Sequence, residues 1–292
     1  MVDNPLIKNA FDIALPIGFG LVYHPISHCR ILMQLGYEPD PPYSGHSFAS
    51  VLRFGSKVMK YPSIFTYCKR VSEKVGWTGL FFIGLPARIC SVNISNYVTE
   101  IVYDHITREE NGKKTKLLNT DKPLKEYLGE LSILAGAKMS GVLLSYPFEV
   151  IMIRQMAEIM EVNGVGSSSM LTWATRIFKE EGLVGFYGGV TSKLIGEFLT
   201  LSLAASLVYV INNYFISKST EDMKEYTPTI SNMMATQFSY KYNVIATALA
   251  VSGSNLYCAI PLKGFWDAYL YLKSERAFSR GSSMFIRPAF VN

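Results

Sequence analysis

The stretch from Phe198 to Ser217, FLTLSLAASLVYVINNYFIS, runs without a single charged residue. About 20 apolar residues in a helix cross the roughly 30 Å of a bilayer's hydrocarbon core, so this stretch predicts a spanning helix. A second uncharged stretch, YNVIATALAVSGSNLYCAIPL, covers Tyr242 to Leu262. Three others, Phe11 to Leu35, Ala87 to Thr107 and Leu128 to Met156, are as long but carry polar groups inside an apolar background. The pattern predicts five spans.

Shorter polar segments lie between them. After the proline-containing turn EPDPPYSG, Ile64, Tyr67, Val71 and Val75 recur at helical spacing, opposite Lys69, Arg70, Glu73 and Lys74. That alternation predicts a short amphipathic helix lying in the membrane interface. MLTWATRIFKEEG repeats the layout after the third span and LKGFWDAYLYLKSER after the fifth, whereas REENGKKTKLLNTDKPLKE reads as a solvated connector.

Composition supports a membrane protein. Of 292 residues 49% are hydrophobic and only 17% charged, where soluble domains carry about a quarter. The net charge of +5 is spread over short loops, which argues against nucleic acid as a partner. Cys29, Cys68, Cys90 and Cys258 form no CxxC pair or His/Cys cluster and read as free thiols. The opening MVDNPLIKNAF has neither a secretory signal's apolar run nor a transit peptide's arginines, so targeting information is expected within the chain.

The chain also repeats itself. YHPISHCRILMQ and YPFEVIMIRQM each put a proline, Pro25 or Pro147, near the end of an apolar helix, and the two prolines stand 122 residues apart. GLFFIG at Gly79 and GFYGG at Gly185 lie 106 apart, with a weaker echo, SMFIR at Ser283, 98 further on. Three units of about 100 residues account for these spacings: 5–110, 125–217 and 224–292, within one domain of 1–292. The third proline position falls on Lys241. Taken singly, each proline is also explained as a helix kink, and Gly185 with Gly189 as a turn and not a helix-dimerisation face.

Two spans per unit, a Pro-x-acid-x-x-base motif closing each odd helix and a Gly-aromatic turn before each even one resemble the mitochondrial carrier family; EEGLVGFYGG, Glu180 to Gly189, is a close match. Pro25, Gln34, Pro147, Gly185 and Gly188 are its structural positions here. The resemblance implies an all-α, three-repeat membrane bundle. In transporting carriers three acid–base pairs form a ring that gates alternating access. In this chain the acid positions hold Ser27, Glu149 and Asn243, and the basic positions Arg30, Met152 and Ala246. A single pair, Glu149 with Arg30, is expected, which is too little for a three-fold gate. Fewer than ten residues follow Ser283, where a sixth span would begin. The expected architecture is therefore a carrier-like bundle with five or so transmembrane helices, the sixth missing and a groove open to the bilayer.

Polar residues within the spans suggest what that groove contains. An ionisable group at a helix centre costs roughly 2.5–3.5 kcal/mol on insertion scales, so such groups turn towards a bundle interior or a wet cavity. The candidates for handling cargo are His28, Arg30, Asn93, Asn96, Lys138, Glu149, Arg154, Lys193 and Glu197, with Asp12, His24 and Glu100 in the same spans. Lys193 is also explained by snorkelling to the interface, and Glu149 with Arg30 by a structural ion pair. His24 and His28 are four apart on one helix face, but no third metal ligand accompanies them, and neither metal nor cofactor is expected.

QLGYEPDPP after the first motif, the single surviving acid and base, and SRGSSMFIR near the end resemble one subfamily in particular, the mitochondrial carrier homologs of the outer membrane. That resemblance implies insertion of tail-anchored and other helical proteins into the outer mitochondrial membrane, scrambling of phospholipids, and recruitment of a pro-apoptotic BH3 protein. The rival readings are a degenerate solute carrier of the inner membrane and a receptor that docks partners through the loop of residues 108–125. The sequence has no nucleophile–base pair, phosphate loop or metal constellation, so an enzyme is the least expected class.

Overall fold

A computed structural model describes residues 5–45, 58–111, 122–161, 169–216, 223–285 and 287–289; the side chains of 5–19, Asp12 among them, and most of the 108–125 loop lie outside the described residues. The described chain is built from helices. α1 (Pro5–Gln34), α3 (Leu85–Asn111), α4 (Leu124–Ala157), α6 (Val190–Val210) and α7 (Thr227–Val251) are long. α2 (Ile64–Phe82, interrupted at Gly76), α5 (Met170–Glu180) and α8 (Phe265–Ser274) are shorter. The result is an all-α, carrier-like bundle of five long helices. Three stretches, Ile64–Thr107, Leu124–Met160 and Gly182–Phe215, are long and apolar enough to cross a membrane.

The prolines do not end their helices. α1 runs through Pro25 to Gln34, and α4 through Pro147 to Ala157. The fifth long helix differs from its expected bounds: it begins at Thr227 and stops at Val251, so Gly253 to Leu262 form an irregular segment and not the end of a span. Val251-Ser-Gly-Ser-Asn supplies the turn-forming residues that stop it.

Each short helix lies under the long helix before it. On α2, Ile64, Tyr67 and Val71 are buried against Cys29, Leu32 and Met33 of α1, while Lys69, Arg70, Glu73 and Lys74 are exposed. The predicted face is correct. Its partner, however, is protein: the apolar stripe packs on α1, where an interfacial placement was expected. Trp173 and Ile177 of α5 likewise pack against Ile153 and Met156 of α4, and Ala268 and Leu272 of α8 against Val244, Ile245 and Leu249 of α7.

The long helices associate in pairs, α3 with α4 and α6 with α7, and the pairs join where α4 meets α6 and α7. Close approach between α3 and α4 depends on Gly141, since a Cβ there would stand 2.5 Å from the Ser95 carbonyl oxygen. Across α6 and α7 the hydroxyls of Thr200 and Ser239 are 2.5 Å apart. Outward faces are apolar: the most hydropathic window, within Gly182–Phe215, has mean hydropathy 2.0 yet only 11% of it is buried. Exposed apolar area on that scale requires a lipid or protein cover.

After α8 the chain turns through Ala277–Ser279 and returns to the end of α1. There β1 (Tyr43–Gly45), β2 (Val58–Tyr61) and β3 (Arg287–Pro288) form an antiparallel sheet in that order, with Lys60 opposite Tyr43 and Arg287 opposite Tyr61. After Ser283, where the turn into a sixth span would begin, Arg287 and Pro288 form a strand. Arg287 anchors it by pairing with Glu38 and donating to the Pro62 carbonyl (3.0 Å).

Candidate functional site

An open-sided cavity of about 480 Å³ lies among α1, α3, α4, α6 and α7. Two residues three apart lie on one helix face, so each repeat can turn both its motif positions the same way. All six do: Ser27 and Arg30, Glu149 and Met152, Asn243 and Ala246 line this cavity together. The three damaged motifs thus occupy equivalent places around one polar chamber. All six sit within helices, on α1, α4 and α7.

The ion pair inside is not the expected one. Lys193 Nζ lies 2.7 Å from Glu149 Oε1 and 3.6 Å from Glu197 Oε1, one turn further along α6. Its side chain is 18% exposed, so it is engaged within the bundle and does not snorkel. Among the described residues Arg30 forms no ion pair, and its buried Nε meets no hydrogen-bond acceptor. Arg88, at the start of α3, also lines the cavity and forms no salt bridge among the described residues, although the Glu149 carboxylate acts on it at longer range. The chamber therefore has three cationic side chains against Glu149, with Glu197 beside it.

One end of the chamber is tied shut. Gln34 donates to the Tyr240 hydroxyl (3.0 Å) and accepts from Thr247 (2.9 Å), joining α1 to α7. Tyr240 donates onward to the Arg280 carbonyl (2.6 Å). Beside it, the Tyr146 hydroxyl donates to the Gly188 carbonyl (2.7 Å), holding the Gly-aromatic turn against α4. Gly185, Gly188 and Gly189 thus form a turn packed on the bundle.

Several expected cargo residues lie elsewhere. His28 is buried with Nδ1 donating to the Leu80 carbonyl (3.3 Å), and His24 Nε2 donates to that of Ile83 (2.9 Å). Both rings secure carbonyls at the end of α2, so His28 is outside the chamber. Arg154 is also buried away from it, pairing with Glu181 (Nη2 to Oε2, 2.9 Å) and donating to the Ala250 carbonyl (2.8 Å). It ties α4 to α5 and α7. Asn93 and Asn96 are exposed and do not line the chamber; Asn93 donates to the Ile89 carbonyl one turn back (2.8 Å). Lys138 is half-buried on α4, about 16 Å along the helix from Glu149 at 1.5 Å per residue. No cluster of three metal-ligating side chains occurs among the described residues.

Arg88, Tyr240 and Thr247 were not singled out from the sequence. A signal for Arg88 existed, because it precedes Lys193 by 105 residues, one short of the 106 between Gly79 and Gly185. A base at the start of the second span is thus repeated at the start of the fourth.

The family profile described as mitochondrial carrier protein matches residues 125–219, the second of the three units. Mitochondrial carrier homolog 2 of Homo sapiens is 29% identical over 297 residues, covering 95% of this chain and 93% of that protein. This chain is a relative of the mitochondrial carrier homologs. The Bos taurus carrier homolog 2 is 28% identical over 294 residues, and carrier homolog 1 of Mus musculus 27% over 310, covering 98% of this chain and 78% of that protein. With carrier homologs as relatives and with outward apolar helices, the protein is a mitochondrial membrane protein. Its carrier-type motif positions converge on one chamber, as the repeat arithmetic requires.

Proposed function

We propose that this protein is an insertase of the outer mitochondrial membrane for tail-anchored and other α-helical membrane proteins, with the polar chamber as the path for the client's hydrophilic end. One observation carries the reading. The chamber keeps the polar lining of a carrier, but its only motif acid pairs with Lys193, and the basic motif residue Arg30 is unpaired among the described residues. A gate of three mutually balanced pairs is replaced by fixed, partly unsatisfied charge.

Polar groups crossing hydrocarbon lose their hydration, at a cost of several kcal/mol for each unsatisfied group. A chamber presenting Arg30, Arg88, Glu149 and Asn243 to such groups offsets part of that loss. It needs no nucleotide, metal or cofactor, because the client's own apolar helix gains on entering lipid.

A second reading uses the same chamber for phospholipid scrambling. The guanidiniums of Arg30 and Arg88, neither in a salt bridge among the described residues, favour it, since guanidinium forks match phosphate oxygens. Recruitment of a BH3-type protein rests on the family resemblance alone.

The test is insertion of a tail-anchored client into proteoliposomes containing the purified protein. Arg30→Glu should change the inserted fraction several-fold, and Lys179→Gln, on the exposed face of α5, should not. If both variants insert like the parent protein, the chamber is not the path; a headgroup-flipping assay on the same vesicles separates the lipid reading.

A further inference from the structure

A second, smaller cavity of about 90 Å³ lies outside the chamber, where the turn after α8 meets the end of α1. Arg276, Arg280 and Arg287 line it, with Ser279 and Ser283. Arg287 is committed: it is buried, paired with Glu38, and stacked over Tyr67 with its guanidinium carbon 5.1 Å from the ring centre. Arg276 and Arg280 form no ion pair among the described residues.

Their positions are fixed by backbone. Arg276 has φ +50°, the sole left-handed non-glycine among the described residues, a conformation that L side chains rarely adopt. The turn is held by bonds from Arg280 N to the Ala277 carbonyl (3.0 Å) and Ser282 N to that of Ser279 (3.1 Å). Tyr240 clamps the Arg280 carbonyl, and Arg280 Nη1 lies so close to Gly36 that a Cβ there would stand 2.9 Å from it. Two guanidiniums outside any salt bridge among the described residues, beside hydroxyls on a held turn, form a receptor for a tetrahedral oxyanion.

The helix that leads into this turn, and the chain just beyond it, expose apolar and aromatic side chains. Trp266 and Leu270, four apart on α8, are 73% and 62% exposed, and Phe285 beyond the turn is 71% exposed. Exposed tryptophan on the helix that runs into an arginine-bearing turn suits a membrane–water interface, where rings sit at headgroup depth and cations near the phosphate plane.

We propose that the Arg276–Arg280 cavity binds a phosphate group, supplied by the headgroup of an anionic phospholipid at the membrane surface. The site is separate from the chamber and does not depend on what the chamber carries. Glu275 and Glu38 also line the cavity and set the sign of a diagnostic change. Removing the Glu275 carboxylate lowers the repulsion of a phosphate, whereas a purely structural role for this turn predicts no gain.

The experiment is thermal unfolding of the full chain in nanodiscs of phosphatidylcholine, with or without 20 mole per cent phosphatidic acid (roughly one lipid in five, to hold occupancy high), and separately with millimolar inorganic phosphate. Phosphatidic acid should raise the midpoint of the parent protein. The shift should vanish in Arg276→Gln/Arg280→Gln, return in the double lysine variant, increase in Glu275→Gln and persist in Lys179→Gln. A shift with inorganic phosphate and none with the lipid keeps the phosphate site but overturns the lipid source. No shift from either, or equal shifts in parent and double-glutamine proteins, overturns the site; if the double-glutamine protein does not fold, an unchanged Glu275→Gln response overturns it instead.

Discussion

Lys193 Nζ stands 2.7 Å from Glu149 Oε1, so the one acid left among the carrier-type motifs is satisfied by a neighbouring long helix and not by the basic motif position of another repeat. Glu149 is on α4 and Lys193 on α6, and these helices meet directly, so the pair joins two elements already packed together. An ion pair that closes no gap between repeats cannot open and close a gate. It holds α4 and α6 together, and Arg30 faces the chamber with its charge uncompensated among the described residues.

Exchanging the pair tests this directly. Glu149→Gln should destabilise the bundle by less than the ~3–5 kcal/mol seen when a fully buried pair is broken, because the two side chains are 18% and 20% exposed. The exchange Glu149→Lys with Lys193→Glu should recover most of the loss in thermal unfolding. Recovery by Arg30→Glu with Glu149→Lys instead would restore the inter-repeat pairing rejected above.

Arg154 was expected to handle cargo, yet it is 2% exposed at its side chain and bonded to both Glu181 and the Ala250 carbonyl. Arg154→Gln should therefore cost about 3–5 kcal/mol in stability. Any fall in insertion should track the fall in folded protein measured by size-exclusion chromatography, with normal activity per folded molecule.

Gly189, at φ +84°, begins α6. An alanine Cβ there would meet the Ala246 carbonyl oxygen at 2.7 Å and Leu249 Cβ at 2.9 Å, in a backbone conformation that itself costs about 1–3 kcal/mol. Gly189→Ala should lower the unfolding midpoint clearly, while Gly264→Ala, at a glycine with nothing within 4 Å of an added Cβ, should lower it much less.

Burial pushes the Glu38 carboxyl up to about 7, against the opposing pull of Arg287 and Arg280; Asp40 adds to the rise. The folded protein thus holds a proton at Glu38 that the unfolded chain releases nearer the ordinary carboxylate value. This contribution favours folding at low pH and is lost as pH rises from about 4.5 to about 7. Glu38→Gln should flatten the decline in unfolding midpoint between pH 5 and pH 8, and an unchanged slope contradicts the assignment.

The architecture was legible because hydrophobic period and repeat spacing are local, additive signals. Ile64, Tyr67 and Val71 announce a helix face whatever covers it, and motif spacing placed Asn243 and Ala246 at chamber positions without a proline to mark them. What covers a face is not local. The α2 stripe reads the same whether its partner is lipid or α1, and His28 or Arg154 reads the same whether it faces a groove or caps a distant carbonyl. The Glu149–Lys193 pair was missed because the choice between Lys193 and Arg30 depends on how far apart α1, α4 and α6 settle. The strand at Arg287 escaped for a similar reason, since its partner β2 lies more than 220 residues earlier.

The most direct test of the account places a photo-crosslinking residue at Ala246 or Met152 in the chamber and, in parallel, at Leu144 on the exposed outer face of α4, while a tail-anchored client inserts. The account predicts crosslinks from Ala246 and Met152 to the client's hydrophilic tail during insertion, lost once insertion is complete, with little signal to that tail from Leu144. Tail crosslinks from Leu144 with none from the chamber would contradict it.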